Sequence, residues 1–196
     1  MRLNSHASAA DVLAHVPDAV IVATGATARV PDLPGVGLPR VATTVDVLLG
    51  RVTPGRRVVV VDEDGHYAGP TTADLLAGRG CQVTLISKYF MVGEDIDEGL
   101  RSDLYARLFG QGVVLQPLTA ATAMVPEGLR TRHTFSGAEA ILEADTVVLS
   151  FGGRANDGLY HELDGRVPEL RLVGDAVSPR RIHDALLDGT RAARAL

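Results

Sequence analysis

Leu170-Arg171-Leu172-Val173-Gly174-Asp175-Ala176, running on into residues 182–196, is the stretch that decides the fold. A hydrophobic strand that ends in Gly-Asp and is followed by a helix reads as the closing strand of a dinucleotide-binding domain. The carboxylate of Asp175 would stand where sugar hydroxyls can donate to it, and the helix N-terminus, with its free N–H groups and positive dipole end, would point at the pyrophosphate. Asp175 as an ordinary helix N-cap is the alternative reading. A domain that closes this way should open with G-x-G-x-x-G, and no such sequence precedes residue 20. The expectation is that the front of that domain lies outside this chain.

Composition narrows the choices. A chain of 196 residues with 46% hydrophobic residues can bury a sizeable core in one large or two small domains. Its 19 Lys and Arg are outnumbered by 24 Asp and Glu, for a net charge of -5, and apart from Arg180-Arg181 they are scattered. Phosphate-backbone binding wants clustered cations, so no nucleic-acid partner is expected. The single cysteine, Cys81, excludes an internal disulfide framework and a cysteine-ligated cluster within the chain. It reads as a core residue in a reducing, cytoplasmic setting. The first 17 residues contain Asp11 and no long apolar run, and no window approaches the ~18 apolar residues of a membrane span. Neither secretion nor membrane insertion is expected.

Residues 19–23 (AVIVA), 57–61 (RVVVV), 83–86 (VTLI) and 146–149 (TVVL) are continuous β-branched runs, the pattern of interior strands in a parallel sheet covered on both faces. Between the second and third, residues 71–79 read as a helix closed by Gly80, so 57–86 is a βαβ unit. A second helix is predicted over 97–109, with Leu100, Leu104 and Leu108 on one face and Gly110 ending it. Short strands joined by turns follow at 113–116, 121–125, 128–135 and 139–142. Pro31, Pro34, Gly35 and Gly37 mark a crossing segment, and 156–170 reads as a polar connection. The fold class is therefore α/β, a Rossmann-like three-layer FAD/NAD(P)-binding fold. One complete small domain, residues 41–150, is inserted in a partial one made of 1–40 and 151–196.

Three motifs carry chemistry. In the first, a buried strand breaks into Ala23-Thr24-Gly25, where small residues let the backbone pass close to a dinucleotide; an ordinary strand end is the alternative. The second is the turn after Val61, Asp62-Glu63-Asp64-Gly65-His66-Tyr67-Ala68-Gly69-Pro70. A nucleotide-binding turn uses glycines there and avoids negative charge, so three carboxylates should oppose a diphosphate. Inserted domain and NAD(P) are thus expected not to meet. A calcium loop is the competing reading, but D-E-D-G lacks the remaining ligand pattern. His66 and Tyr67 are read as filling the turn. The third motif is Gly174-Asp175-Ala176, with Arg180 and Arg181 near the following helix start. No Ser-His-Asp or Cys-His arrangement suggests a separate catalyst, and the six histidines lack metal-ligand spacing.

In order, V-I-V-A-T-G-A, P-x-L-P-G-V, R-V-V-V-V-D, G-P-T-T-A-D-L-L-A-G-R-G, V-T-L-I-S and L-V-G-D-A-x-x-P-R-R-I-x-D-A resemble the C-terminal region of the trimethylamine dehydrogenase and 2,4-dienoyl-CoA reductase family of old-yellow-enzyme-type flavoproteins. The resemblance covers nearly the whole chain. It implies a preceding barrel with FMN and a 4Fe-4S cluster, then two nucleotide-binding-like domains, the second inserted into the first. It also implies oxidoreductase chemistry on amines or enoyl thioesters, with FAD or ADP held in a residual, weak site by Ala23, Thr24, Gly25, Gly174, Asp175 and Ala176. Barrel, FMN site, cluster cysteines and Gly-rich adenosine loop have no counterpart here. The acidic turn looks like the amine-dehydrogenase branch rather than the branch that takes hydride from NADPH. Two readings follow. The chain is the nucleotide-domain part of a flavin-dependent oxidoreductase whose catalysis lives elsewhere, or it is a non-catalytic interaction module that keeps the fold. The partners implied are the missing barrel part or a companion flavoprotein, and an exposed apolar surface predicts self-association.

Overall fold

A capping box starts the first helix: the Ser8 hydroxyl accepts from the Asp11 N–H at 3.2 Å, and the Asp11 carboxylate accepts from the Ser8 N–H at 2.9 Å. The helix, α1 (Ala9–Leu13), leads to β1 (Ala19–Val22) and the short β2 (Ala26–Ala28). The computed structural model describes residues 2–196. It divides into two units, residues up to Thr27 with Gly153–Leu196, and Ala28–Gly152.

The second unit is built on one parallel sheet. β3 (Val41–Thr43) runs into α2 (Thr44–Leu48), again through a capping box, between Thr43 and Asp46. There follow β4 (Arg57–Asp62), α3 (Ala68–Gly78), β5 (Gln82–Ile86), α4 (Glu98–Gly110) and β6 (Val114–Gln116). Next come β7 (Thr119–Val125), β8 (Gly128–His133), β9 (Glu139–Glu143) and β10 (Thr146–Ser150). The strand order is β3-β10-β4-β5-β6, while β7, β8 and β9 form a separate antiparallel sheet.

Alternation along β4 explains why its apolar run is unbroken. Val58 and Val60 face Ala73 and Leu76 of α3 and Leu104 and Leu108 of α4. Val59 and Val61 face the opposite way, with Val147 and Leu149, into a cluster that includes Met124 and Leu129 of the antiparallel sheet. A strand covered on both sides has no solvent face on which to place a polar residue. Burying each such Val or Leu contributes about 1.5–3 kcal/mol. Residues 28–40 belong to this unit. Leu33, Val36 and Leu38 of the Pro/Gly-rich stretch pack against the second cluster. Cys81 is half-buried against the first.

The chain then returns to the first unit through β11 (Gly153–Ala155), α5 (Gly158–Leu163), β12 (Glu169–Leu172), a short 3-10 turn at Gly174–Ala176 and α6 (Ile182–Arg194). β1 and β12 pair in parallel, Ala19 beside Glu169 through Val22 beside Leu172. Their core is Ala9, Val22 and Leu163 with Val12, Leu13, Leu170 and Leu172 around it.

Three expectations change. Residues 19–23 do not form an interior strand: β1 has β12 as its one partner among the described residues, and Ile21 is 37% exposed. The polar connection at 156–170 contains α5, because Leu159, Tyr160 and Leu163 turn to the core while Asp157, His161 and Glu162 face water. Leu100 is 56% exposed although Leu104 and Leu108 are buried; Val92 and Ile96, from the loop before α4, join that core cluster instead. No helix among the described residues is long and apolar enough to cross a membrane.

Candidate functional site

Parallel pairing in register sets the carboxyl ends of β1 and β12 side by side, and the Val173 N–H extends the ladder by donating to the Val22 carbonyl at 3.0 Å. Two loops therefore leave from one place. Ligands of open α/β sheets collect beyond the carboxyl ends of the strands, where loops diverge.

The loop after β1 is Ala23-Thr24-Gly25. Ala23 and Thr24 are exposed and Gly25 is half-buried. The Thr24 hydroxyl donates to the Asn156 carbonyl, and the Asn156 N–H donates to the Gly25 carbonyl at 3.0 Å, so the loop is tied to the chain that returns after β11. Gly25 has φ +71°, a conformation an L side chain reaches only with strain, and no atom lies within 4 Å of where its Cβ would be. Backbone at that point is open to a ligand.

The loop after β12 is Gly174-Asp175-Ala176. Gly174 has φ +65°, and a Cβ there would come to 3.3 Å from the Cβ of Ala185, which closes α6 onto the turn. The Asp175 carboxylate accepts the Arg180 N–H at 3.1 Å through Oδ1. It does not cap α6; Asp184 accepts the Arg181 N–H at 3.2 Å in that role. Gly174 is buried and Ala176 fully so, leaving Asp175 as the half-exposed member of the three. Further along, Pro179 fills the space where a side chain at Gly153 would project, 2.9 Å from that position, with the Ala26 methyl 3.1 Å from it. The two sequence-predicted segments thus meet at Val22–Val173, and each also packs against Gly153 of β11, through Ala26 and Pro179.

What the sequence did not reveal here is Asp188. Its Oδ2 accepts the Gly174 N–H at 3.3 Å and the guanidinium of Arg180. Arg180 Nε also donates to the Ser178 carbonyl at 3.2 Å. Arg180, expected only to lie near the helix start, is engaged with the turn itself.

The acidic turn of the second unit differs from its reading as a common front of three carboxylates. Position 62 shares its face with Val58 and Val60, so Asp62 points inward and is fully buried. It accepts the Gly65 N–H at 3.1 Å and the Gly93 N–H at 3.0 Å. Burial pushes its pKa up to about 6, against the lowering effect of those two donors, and Asp64 and Glu63 add to the rise. Glu63 is neutralised by Lys88 at 2.6 Å, and that contact holds the lysine pKa above its ordinary value. Asp64 is pushed up by burial. His66 and Tyr67 stack with ring centroids 5.5 Å apart. Ser150, the register partner of Asp62, and Thr72 of α3 have buried hydroxyls with no hydrogen-bond partner. Among the described residues no group of three His, Cys, Asp or Glu is placed to hold a metal ion.

Residues 6–170 match the family described as pyridine nucleotide-disulphide oxidoreductase. The chain belongs to this family. It is similar to a metal reductase of Desulforamulus reducens, 29% identical over 85% of this chain and 29% of the relative. Among solved structures it is similar to the 6-hydroxypseudooxynicotine amine oxidase of Pseudomonas geniculata N1, 33% identical with a TM-score of 0.89 over 97% of this chain and 30% of that one. It also resembles the histamine dehydrogenase of Rhizobium sp. 4-9, 25% identical with a TM-score of 0.90 over 98% and 33% of the two chains. This pyridine nucleotide-disulphide oxidoreductase domain has the Rossmann-like α/β fold of those structures. It spans about 30% of the length of such relatives as the metal reductase of Desulforamulus reducens, the bilirubin reductase of Mediterraneibacter gnavus and the dimethylamine dehydrogenase of Hyphomicrobium sp..

Proposed function

We propose that the chain serves as the nucleotide-domain part of a flavin-dependent oxidoreductase of amine dehydrogenase or enoyl reductase type. Its first unit would hold FAD or ADP weakly, and its second unit no NAD(P). The observation that carries the reading is the pairing of the β1 and β12 ends, from which two loops leave, one with open backbone at Gly25 and the other with a half-exposed carboxylate at Asp175.

The residues present fit a sugar better than a phosphate. Asp175 Oδ1 is engaged by Arg180, leaving Oδ2 as an acceptor for a ribityl or ribose hydroxyl. Ala23, Thr24 and Gly25 offer small side chains and close backbone approach. Ala176 would contribute packing beneath the turn rather than contact. When bound, a flavin supplies the redox chemistry; this chain positions its sugar end. In the second unit the buried Asp62 and the Glu63–Lys88 pair take up the turn that a diphosphate would use, which supports a nucleotide-free reading.

FMN and a 4Fe-4S cluster would belong to an N-terminal barrel part, and the partner would be that barrel part or a companion flavoprotein. The amine oxidase and histamine dehydrogenase likenesses support the amine branch. Calorimetric titration with ADP and with FAD tests the site. Binding should be measurable, and Asp175→Ala should weaken it about tenfold or more, the scale of one hydrogen bond to a charged group. Unchanged affinity in Asp175→Ala would remove this carboxylate from the site.

A further inference from the structure

Asp188 reaches Gly174 from the second turn of α6. One of its oxygens, Oδ2, accepts both the Gly174 N–H and the Arg180 guanidinium. The backbone N–H of the same arginine holds Asp175 Oδ1, and its Nε holds the Ser178 carbonyl. Gly174 itself keeps a positive φ against Ala185, and its carbonyl accepts the Val177 N–H at 3.0 Å. The turn between β12 and α6 is therefore closed from both ends by one helix carboxylate and one loop arginine. Packing holds Gly174 and Ala176, which are buried, while the half-exposed Asp175 carboxylate is held by hydrogen bonds, which are strongest where one partner is charged.

We propose that Asp188 and Arg180 are positioning residues for the Gly174–Asp175 turn. Together they hold the Asp175 carboxylate at the angle from which it meets a nucleotide sugar, an inference that rests on the nucleotide-site reading for its consequence but not for its geometry. Asp188 faces Arg180 and the Gly174 amide, so it is a clamp and makes no contact with ligand. Arg180, committed to Asp188, is held back from acting as a free phosphate-binding cation.

The test combines amide hydrogen exchange with calorimetric titration of ADP and FAD on the full chain and four variants: Asp188→Ala, Arg180→Ala, the double variant and Arg180→Lys. Exchange at Gly174 and Arg180 should quicken about tenfold or more in each alanine variant, while β1 and α5 amides keep their rates. Affinity should fall about tenfold in either single variant and no further in the double, because both remove one clamp. Arg180→Lys, which can still pair with Asp188, should recover affinity to within about threefold of the unsubstituted chain. Should Asp188→Ala fail to fold, Arg180→Ala and Arg180→Lys carry the comparison. Unchanged exchange at Gly174 and Arg180, or additive losses in the double variant, would overturn the clamp. Absence of ADP and FAD binding to the unsubstituted chain would instead overturn the nucleotide reading, and the exchange rates would still decide the clamp.

Discussion

Asp62 carries its charge where the fold solvates it least, and two backbone donors offset only part of the cost. Its carboxyl is held at about 6, above the 3.8 of an unperturbed aspartate. The folded state therefore keeps the proton over a range where the unfolded chain has lost it. The resulting destabilisation is absent below the lower pKa, grows as pH rises and is complete above the upper one, on the order of 3 kcal/mol. Asp62→Asn removes it. Thermal unfolding from pH 4.5 to 7.5 should show the melting temperature of Asp62→Asn rising relative to the parent as pH increases, and a constant gap would contradict the burial cost. Position 62 follows 58 and 60 on the helix-facing side of β4, so its inward direction was legible from period-two alternation. Composition of the turn drew attention to its charge instead. Gly174 and Asp175 stood out in sequence because a short apolar strand ends on them. Asp188 did not, since one carboxylate within a helix looks like any solvated one until the turn beside it is seen.

Elements with a strong one-dimensional signal were readable, and short ones were not. The runs at 57–61, 83–86 and 146–149 fall in β4, β5 and β10, because a strand buried on both faces reads as a nearly continuous apolar run. α1 and α2 escaped notice at five residues each, too short for a periodic stripe. Their signal was the pairing of Ser8 with Asp11 and Thr43 with Asp46, three residues apart. α5 hid inside a polar stretch because only its inner residues touch the core. Leu85, fully buried at the centre of β5, reports on the integrity of the second unit. Leu85→Ala should destabilise by about 2–5 kcal/mol, the loss of transfer energy plus a cavity, read as a lower urea midpoint with little change in slope. A loss below about 1 kcal/mol would mean the helix and sheet layers collapse onto the gap.

At the scale of the molecule, the first unit brings together chain segments separated by the entire second one. Its β1–β12 sheet has two strands, and α6 leaves Ile182 80% and Leu186 66% exposed, with Val177 exposed just before them. Apolar surface of that kind usually meets another surface. We expect a second copy of the chain to cover it, so that light scattering across a dilution series reports a species larger than the 20.6 kDa monomer, and Leu186→Lys shifts it toward monomer. A monomer at every concentration would contradict this. The central claim concerns nucleotide, and the direct measurement is thermal unfolding of the chain alone and with excess ADP, FAD, NADH or NADPH. At about 100-fold over its dissociation constant a ligand stabilises the folded state by about 2.7 kcal/mol, which is roughly 5–10 °C for a chain of this size. The account predicts that rise with ADP or FAD and none with NADH or NADPH; a rise with NADPH and none with ADP or FAD would contradict it.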